Sequence, residues 1–117
     1  MDNSALTALG WGKTPEPPYY VAIFTQQRTD VDDGFSAMVE RMVAAVRQQP
    51  GFLGMEAAEG TDGIGIVVAY WEEDESIKRW KLHLEHREAQ KLGRERWFSR
   101  YRVRIGRVER AYGFDVA

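Results

Sequence analysis

A chain of 117 residues with 44% hydrophobic content is the size of one folding unit and has enough apolar material for a core. A formal charge of −2 gives no general attraction to nucleic acid or anionic lipid, and the absence of cysteine excludes disulfides, thiolate catalysis and sulfur-based zinc sites. No apolar run approaches the ~20 residues of a membrane span. Met1 to Lys13 lacks the basic, then apolar, then small-residue order of a secretory signal, so the expected location is the cytoplasm.

Residues 1–18 read as an arm, because Gly10, Gly12, Pro15, Pro17 and Pro18 interrupt any periodicity and a strand can begin only after Pro18. Trp11 is the residue of this arm expected to dock on the body or on a neighbouring subunit. Residues 19–117 then form the folded domain. Tyr19 to Arg28 is rich in β-branched and aromatic residues and apolar on both alternating faces, which predicts a central strand covered on two sides. A turn over 29–34 leads to a helix running to about Gln48, with Phe35, Met38, Val39, Met42 and Val46 on one stripe. Asp32 or Asp33 is the expected cap, and Pro50 the stop.

Residues 51–59 and 64–71 read as strands joined by Gly60-Thr61-Asp62-Gly63, where Asp-Gly favours a tight hairpin. A second helix is expected from about Asp74 to Leu92, with Ile77, Trp80, Lys81, Leu84 and Glu88 on one side and a bend near His83. Residues 98–114 read as a final strand. Tyr101, Val103 and Ile105 alternate with arginines, and then Val108, Arg110, Tyr112 and Phe114 take the even positions, so a β-bulge at Gly106-Arg107 is expected. A strand this long exceeds the usual length. Its far half, 107–114, is expected to pair outside its own sheet, which predicts a dimer. Arg94, Arg96, Arg100, Arg102, Arg104, Arg107 and Arg110 face only Glu95 and Glu109, and a solvated strand face explains them better than a nucleic-acid strip.

The order β-α-β-β-α-β is the ferredoxin-like α+β arrangement, with two helices on one face of the sheet. Within it, Trp71, Ile77, Trp80, His86, Ala89-Gln90, Gly93-Arg94, Trp97, Tyr101 and Val108-Glu109-Arg110 form a pattern that resembles the antibiotic biosynthesis monooxygenase (ABM) family. The spacing W-x8-W-x5-H-x2-A-Q is its most specific part, and the likeness spans Tyr19 to Phe114. The resemblance implies a dimeric α+β barrel, with each subunit keeping a pocket between its own sheet and helices. It also implies a monooxygenase acting on an aromatic or quinol-like small molecule with dioxygen, without metal or flavin, in which the deprotonated substrate supplies the electrons. Under that reading His86 is the base, Trp80 and Gln27 complete the catalytic set, and Phe24, Tyr70, Trp71 and Arg28 contact substrate.

A non-catalytic small-molecule-binding or stress-associated protein of the same fold is the alternative. Haem binding or degradation is the third reading. The haem-degrading branch of the superfamily places an Asn on the first strand and a ligand His ten residues after the helix Trp. Here those positions hold Gln27 and Gln90, which disfavours that mechanism, although His86 lies one turn before Gln90. His83 and His86 are three apart on a helix, with Glu85 and Glu88 near, but no carboxylate is placed to complete a metal set, so none is expected.

Overall fold

The computed structural model describes residues 9–85 and 96–116. The elements are β1 (Tyr19–Arg28), α1 (Phe35–Val46), β2 (Phe52–Glu59), β3 (Ile64–Trp71), α2 (Asp74–Glu85) and β4 (Phe98–Val108). The expected order is therefore found. The second half of the expected second helix, through Leu92, lies outside the described residues. The four strands form one antiparallel sheet in the order β2-β3-β1-β4, so β1 is central, as its two apolar faces require.

Both helices cover the same face. Val46 of α1 and Ile77 of α2 meet Trp71, with Tyr20, Ala22, Phe52, Met55, Ala69 and Trp80 packed around them. A second apolar cluster, Phe35, Met38, Val39 and Trp97, holds the start of α1 to the start of β4. The predicted α1 stripe thus becomes core in both clusters, with Met42 at the margin.

Alternation along the strands sorts every residue to one side of this sheet. Tyr20, Ala22, Phe24 and Gln26 pair across from Trp71, Ala69, Val67 and Gly65, and on the other flank from Arg107, Ile105, Val103 and Tyr101. These lie on the helix side. Val21, Ile23, Thr25 and Gln27 lie on the opposite, open side with Tyr70, Val68, Ile66 and Ile64, and with Arg104, Arg102 and Arg100.

Three local expectations are corrected. The cap of α1 is Gly34, at φ 81, with no side-chain hydrogen bond, and Phe35 N donates instead to the Asp32 carbonyl at 2.9 Å. The Asp32 carboxylate is taken by Arg28 at 2.7 Å, so it is not available to cap. The bulge is not at Gly106-Arg107, since β1 and β4 stay in register from Tyr19↔Val108 to Gln27↔Arg100 and slip only at Arg28↔Phe98. Ser99 is the extra residue, and its hydroxyl donates to the Gln27 carbonyl at 3.5 Å. The change of apolar phase marks the strand's end: β4 stops at Val108 because β1 starts at Tyr19, and residues 109–116 run on with no strand partner. The hairpin chemistry is as read, with Gly63 at φ 83 and Asp62 Oδ1 accepting from Ile64 N at 3.0 Å.

The arm crosses the open face. Thr14 donates to the Tyr19 hydroxyl at 3.2 Å and Gly12 N to Glu56 Oε2 at 3.0 Å. A side chain at Gly12 would meet the Tyr70 ring at 2.9 Å, so glycine is needed for this approach. Trp11 borders a depression of about 260 Å³ with Leu9, Phe52 and Met55, yet stays 89% exposed. It does not dock on its own body. No helix among the described residues is long and apolar enough to cross a membrane.

The Arg28 side chain is 2% exposed, whereas that of Asp32 is 60% exposed. Asp32→Asn removes a counter-charge 2.7 Å from a buried guanidinium and should lower stability in urea by about 2–3 kcal/mol. Asp33→Asn loosens only an exposed pair 3.9 Å apart with Arg96 and should change stability by less than ~0.5 kcal/mol.

Candidate active site

On the helix side, β1 and β4 carry an aromatic cluster. The Phe24 ring lies 5.7 Å from Phe98 and 5.2 Å from Tyr101, both edge-on. Beside it Val103 and Ile105 are 52% and 51% exposed, an apolar strip the helices leave largely uncovered among the described residues. From α2, Trp80 packs against the Val46, Trp71 and Ile77 cluster, and His83 stacks on Trp80 with ring centroids 5.3 Å apart and planes at 19°. Edge-on and stacked rings are the geometry that binds flat, electron-rich ligands.

Two buried polar atoms in the described residues have no hydrogen-bond partner: Gln26 Oε1 and His83 Nε2. A buried acceptor or donor left unpaired costs about 1–3 kcal/mol. Gln26 lies on the helix side of β1 by its register, and His83 comes from the helix covering that side. Gln26 adjoins the Phe24–Tyr101 pair by its register with Tyr101, and His83 adjoins Trp80. Neither had been singled out as the catalytic or anchoring residue from sequence. Alternation shows only that Gln26 and Gln27 differ in face, and the cross-strand register is needed to say which face meets the helices.

The structure divides the expected site residues. Phe24 and Trp80 lie on the helix side as described. Trp71 is there too, but at 1% exposure it is core, wedged between Phe52 and Trp80. Gln27 lies on the open face, where its amide nitrogen donates to the Asp62 carbonyl at 2.9 Å. Tyr70 is also on the open face, its hydroxyl donating to Glu56 Oε1. Arg28 is held by the fold: Nε donates to the Trp97 carbonyl at 3.2 Å, Nη2 to Val31 O at 3.1 Å and to Asp32, and the guanidinium lies 3.4 Å over the Phe35 ring. His86 lies outside the described residues. So does Gln90, and among the described residues no three metal-binding side chains gather.

The open face has a concavity of its own, about 300 Å³, lined by Arg100, Arg102 and Arg104 with Thr25, Gln27 and Ile64, and bordered also by Gln26 and Tyr101. The three arginines alternate on one strand face, as read, and make that half of the sheet cationic. Ile64 and Ile66 beside them are 37% and 41% exposed.

A sequence profile described as antibiotic biosynthesis monooxygenase matches residues 18–92. The uncharacterized protein YqjZ of Bacillus subtilis (strain 168) is 45% identical over 98 residues, covering 84% of this chain and 86% of that protein. Among solved structures, SnoaB, a cofactor-independent oxygenase from Streptomyces nogalater, superposes with a TM-score of 0.64 at 15% identity, over 81% of this chain and 97% of SnoaB. A conserved protein from Methanosarcina mazei Go1 superposes with a TM-score of 0.66 at 10% identity, over 80% of this chain and 94% of that one. At such identities the structural likeness is one of fold.

The Tyr70 phenol is pushed up to about 12 by burial, and further by its bond to Glu56 and that carboxylate's charge. The folded value exceeds the ordinary 10 of a free tyrosine. Its contribution to stability is therefore intact below pH ~10 and is lost as the pH rises through 12. Stability measured from pH 9 to 12 should fall less steeply in Tyr70→Phe than in the wild type.

Proposed function

We propose that this chain, which belongs to the antibiotic biosynthesis monooxygenase family, oxygenates an electron-rich aromatic or quinol-like small molecule on the helix side of its sheet, without metal or flavin. One observation carries the reading: the Phe24–Tyr101 ring pair lies on the helix side of β1 and β4 beside Gln26, whose buried Oε1 has no partner. SnoaB, described as a cofactor-independent oxygenase, supports the absence of a cofactor.

The chemistry asked of the protein is modest. A benzylic or phenolic substrate gives up a proton, and the resulting anion passes electrons to dioxygen. For a ring CH2 the carbon loses two hydrogens and gains one oxygen, and the second oxygen leaves as water. Phe24 and Tyr101 pack on the ring and exclude water, which keeps the anion's charge concentrated and reactive. A proton acceptor near neutral pKa completes the site. His83 offers a ring nitrogen already stacked beside Trp80. His86, three residues on, is the base the family resemblance favours.

Oxygen uptake with a panel of hydroquinones and anthrones should exceed the buffer rate for at least one compound. Replacing the working base, by His83→Phe or His86→Ala, should lower that rate about 10²–10⁴-fold. Wild-type rates equal to buffer across the panel would sink the oxygenase reading for these substrates and leave a non-catalytic binder of the same fold.

A homodimer is the assembly that goes with this reading. Beyond Val108, Tyr112, Phe114 and Val116 alternate along a tail with no strand partner and are 101%, 88% and 89% exposed. Such a segment gains most by adding to the sheet of a second copy. Light scattering should give twice the chain mass for the full protein and the monomer mass once residues 109–117 are removed. A truncated chain that still dimerises would assign the contact elsewhere.

A further inference from the structure

Gln26 is 7% exposed and sits on the helix side of β1, one alternation from Phe24 and one from Arg28. Its amide lies over Gly65, its partner on β3. A side chain at Gly65 would come within 2.8 Å of Nε2, 3.4 Å of Cγ and 3.5 Å of Cδ. The missing side chain of Gly65 is thus the space the amide occupies. Across the other flank its register partner is Tyr101, whose ring packs on Phe24. Oε1 is buried there and accepts no hydrogen bond.

For stability alone this is a poor choice of residue. A leucine or methionine over Gly65 would fill the same space and leave no buried acceptor unpaired. Charged neighbours do not explain the amide, because the guanidinium of Arg28 is directed to Asp32 and to the Val31 and Trp97 carbonyls. What an orphan acceptor at the edge of an aromatic cluster can recognise is a hydrogen-bond donor carried on a flat ring.

We infer that Gln26 is the polar anchor of the aromatic-ligand site, accepting at Oε1 a hydrogen bond from a ring hydroxyl, so that the ligand class is a neutral phenol or hydroquinone. Gly65 is the glycine that makes room for it. An ether or quinone oxygen, which can only accept, has no attraction to Oε1. The inference rests on the helix-side site proposed above, but it concerns binding and is independent of oxygen chemistry.

The test is anaerobic titration of the full chain with 2-naphthol and with 2-methoxynaphthalene, followed by quenching of tryptophan fluorescence. Wild type should prefer the hydroxyl compound about tenfold. In Gln26→Leu the preference should vanish while the melting temperature rises by a few degrees, because a buried amide oxygen without a partner has been removed. Gln26→Met, nearly the same length, serves where leucine packs badly. No preference in wild type, a preference that survives in both variants, or a melting temperature lowered in both would overturn the assignment and make Gln26 a structural residue. A protein with the naphthol preference but no oxygen uptake keeps the anchor and loses the oxygenase. One that consumes oxygen and keeps its preference in both variants keeps the oxygenase and loses the anchor.

Discussion

A guanidinium with almost no contact with water holds three segments of this chain at one point. Arg28 ends β1, reaches forward to the Val31 carbonyl and the Asp32 carboxylate in the turn before α1, and reaches across to the Trp97 carbonyl at the entry of β4. Its flat face covers Phe35, the first residue of α1. A buried charge is tolerated only when its donors are matched, and the Asp32 carboxylate, the Val31 and Trp97 carbonyls and the Phe35 ring contribute to the matching here. The acid partner keeps much of its own hydration, which limits the desolvation cost to one side of the pair. Several local features follow. Asp32 cannot cap α1, the register of β4 slips beside Arg28, and the carbonyl of Trp97 accepts from both Arg28 and Thr29.

From that fixed corner the sheet presents two unlike surfaces. The helix side carries rings, aliphatic residues and a pair of unsatisfied polar atoms. The open side carries a row of guanidiniums beside isoleucines and valines. Because side chains alternate, neighbouring residues with similar chemistry serve opposite purposes: Gln27 closes a hairpin by binding the Asp62 carbonyl, while Gln26 is buried against Gly65. Tyr70 and Trp71 divide in the same way, one bonded to Glu56 on the open side and the other buried in the core.

The fold was largely legible because its signals are local. Pro18 before Tyr19, the Asp-Gly hairpin and the Phe35-to-Val46 stripe each state their element within a dozen residues, and the boundaries of β1 and β3 follow. The failures share one cause, which is that they depend on partners distant in sequence. Whether Asp32 caps depends on Arg28, and whether Gly106 bulges depends on where β1 begins. The face that Gln26 and Gln27 present depends on the register with β3 and β4. At the end of a strand Arg28 suits an anionic ligand or, better, an ion pair, and the convergence of Asp32, Val31, Trp97 and Phe35 shows the ion pair. The rings of the site were visible as a compositional excess, but the orphaned oxygen of Gln26 has no sequence signature, since an amide reads the same whether or not it is paired.

The arm across the open face has a consequence for the order in which the molecule is made. Its contacts are with Glu56, Gly54 and Tyr70, and the Gly12–Glu56 bond alone spans 44 positions. The arm precedes β2 and β3 in the chain, and therefore has no landing place until they have emerged and paired. Its closure comes late, over a sheet already formed, and so reports on completion of the hairpin more than it assists it. Arm contacts are then also the first to be surrendered when that hairpin frays, before the helix-side core is disturbed.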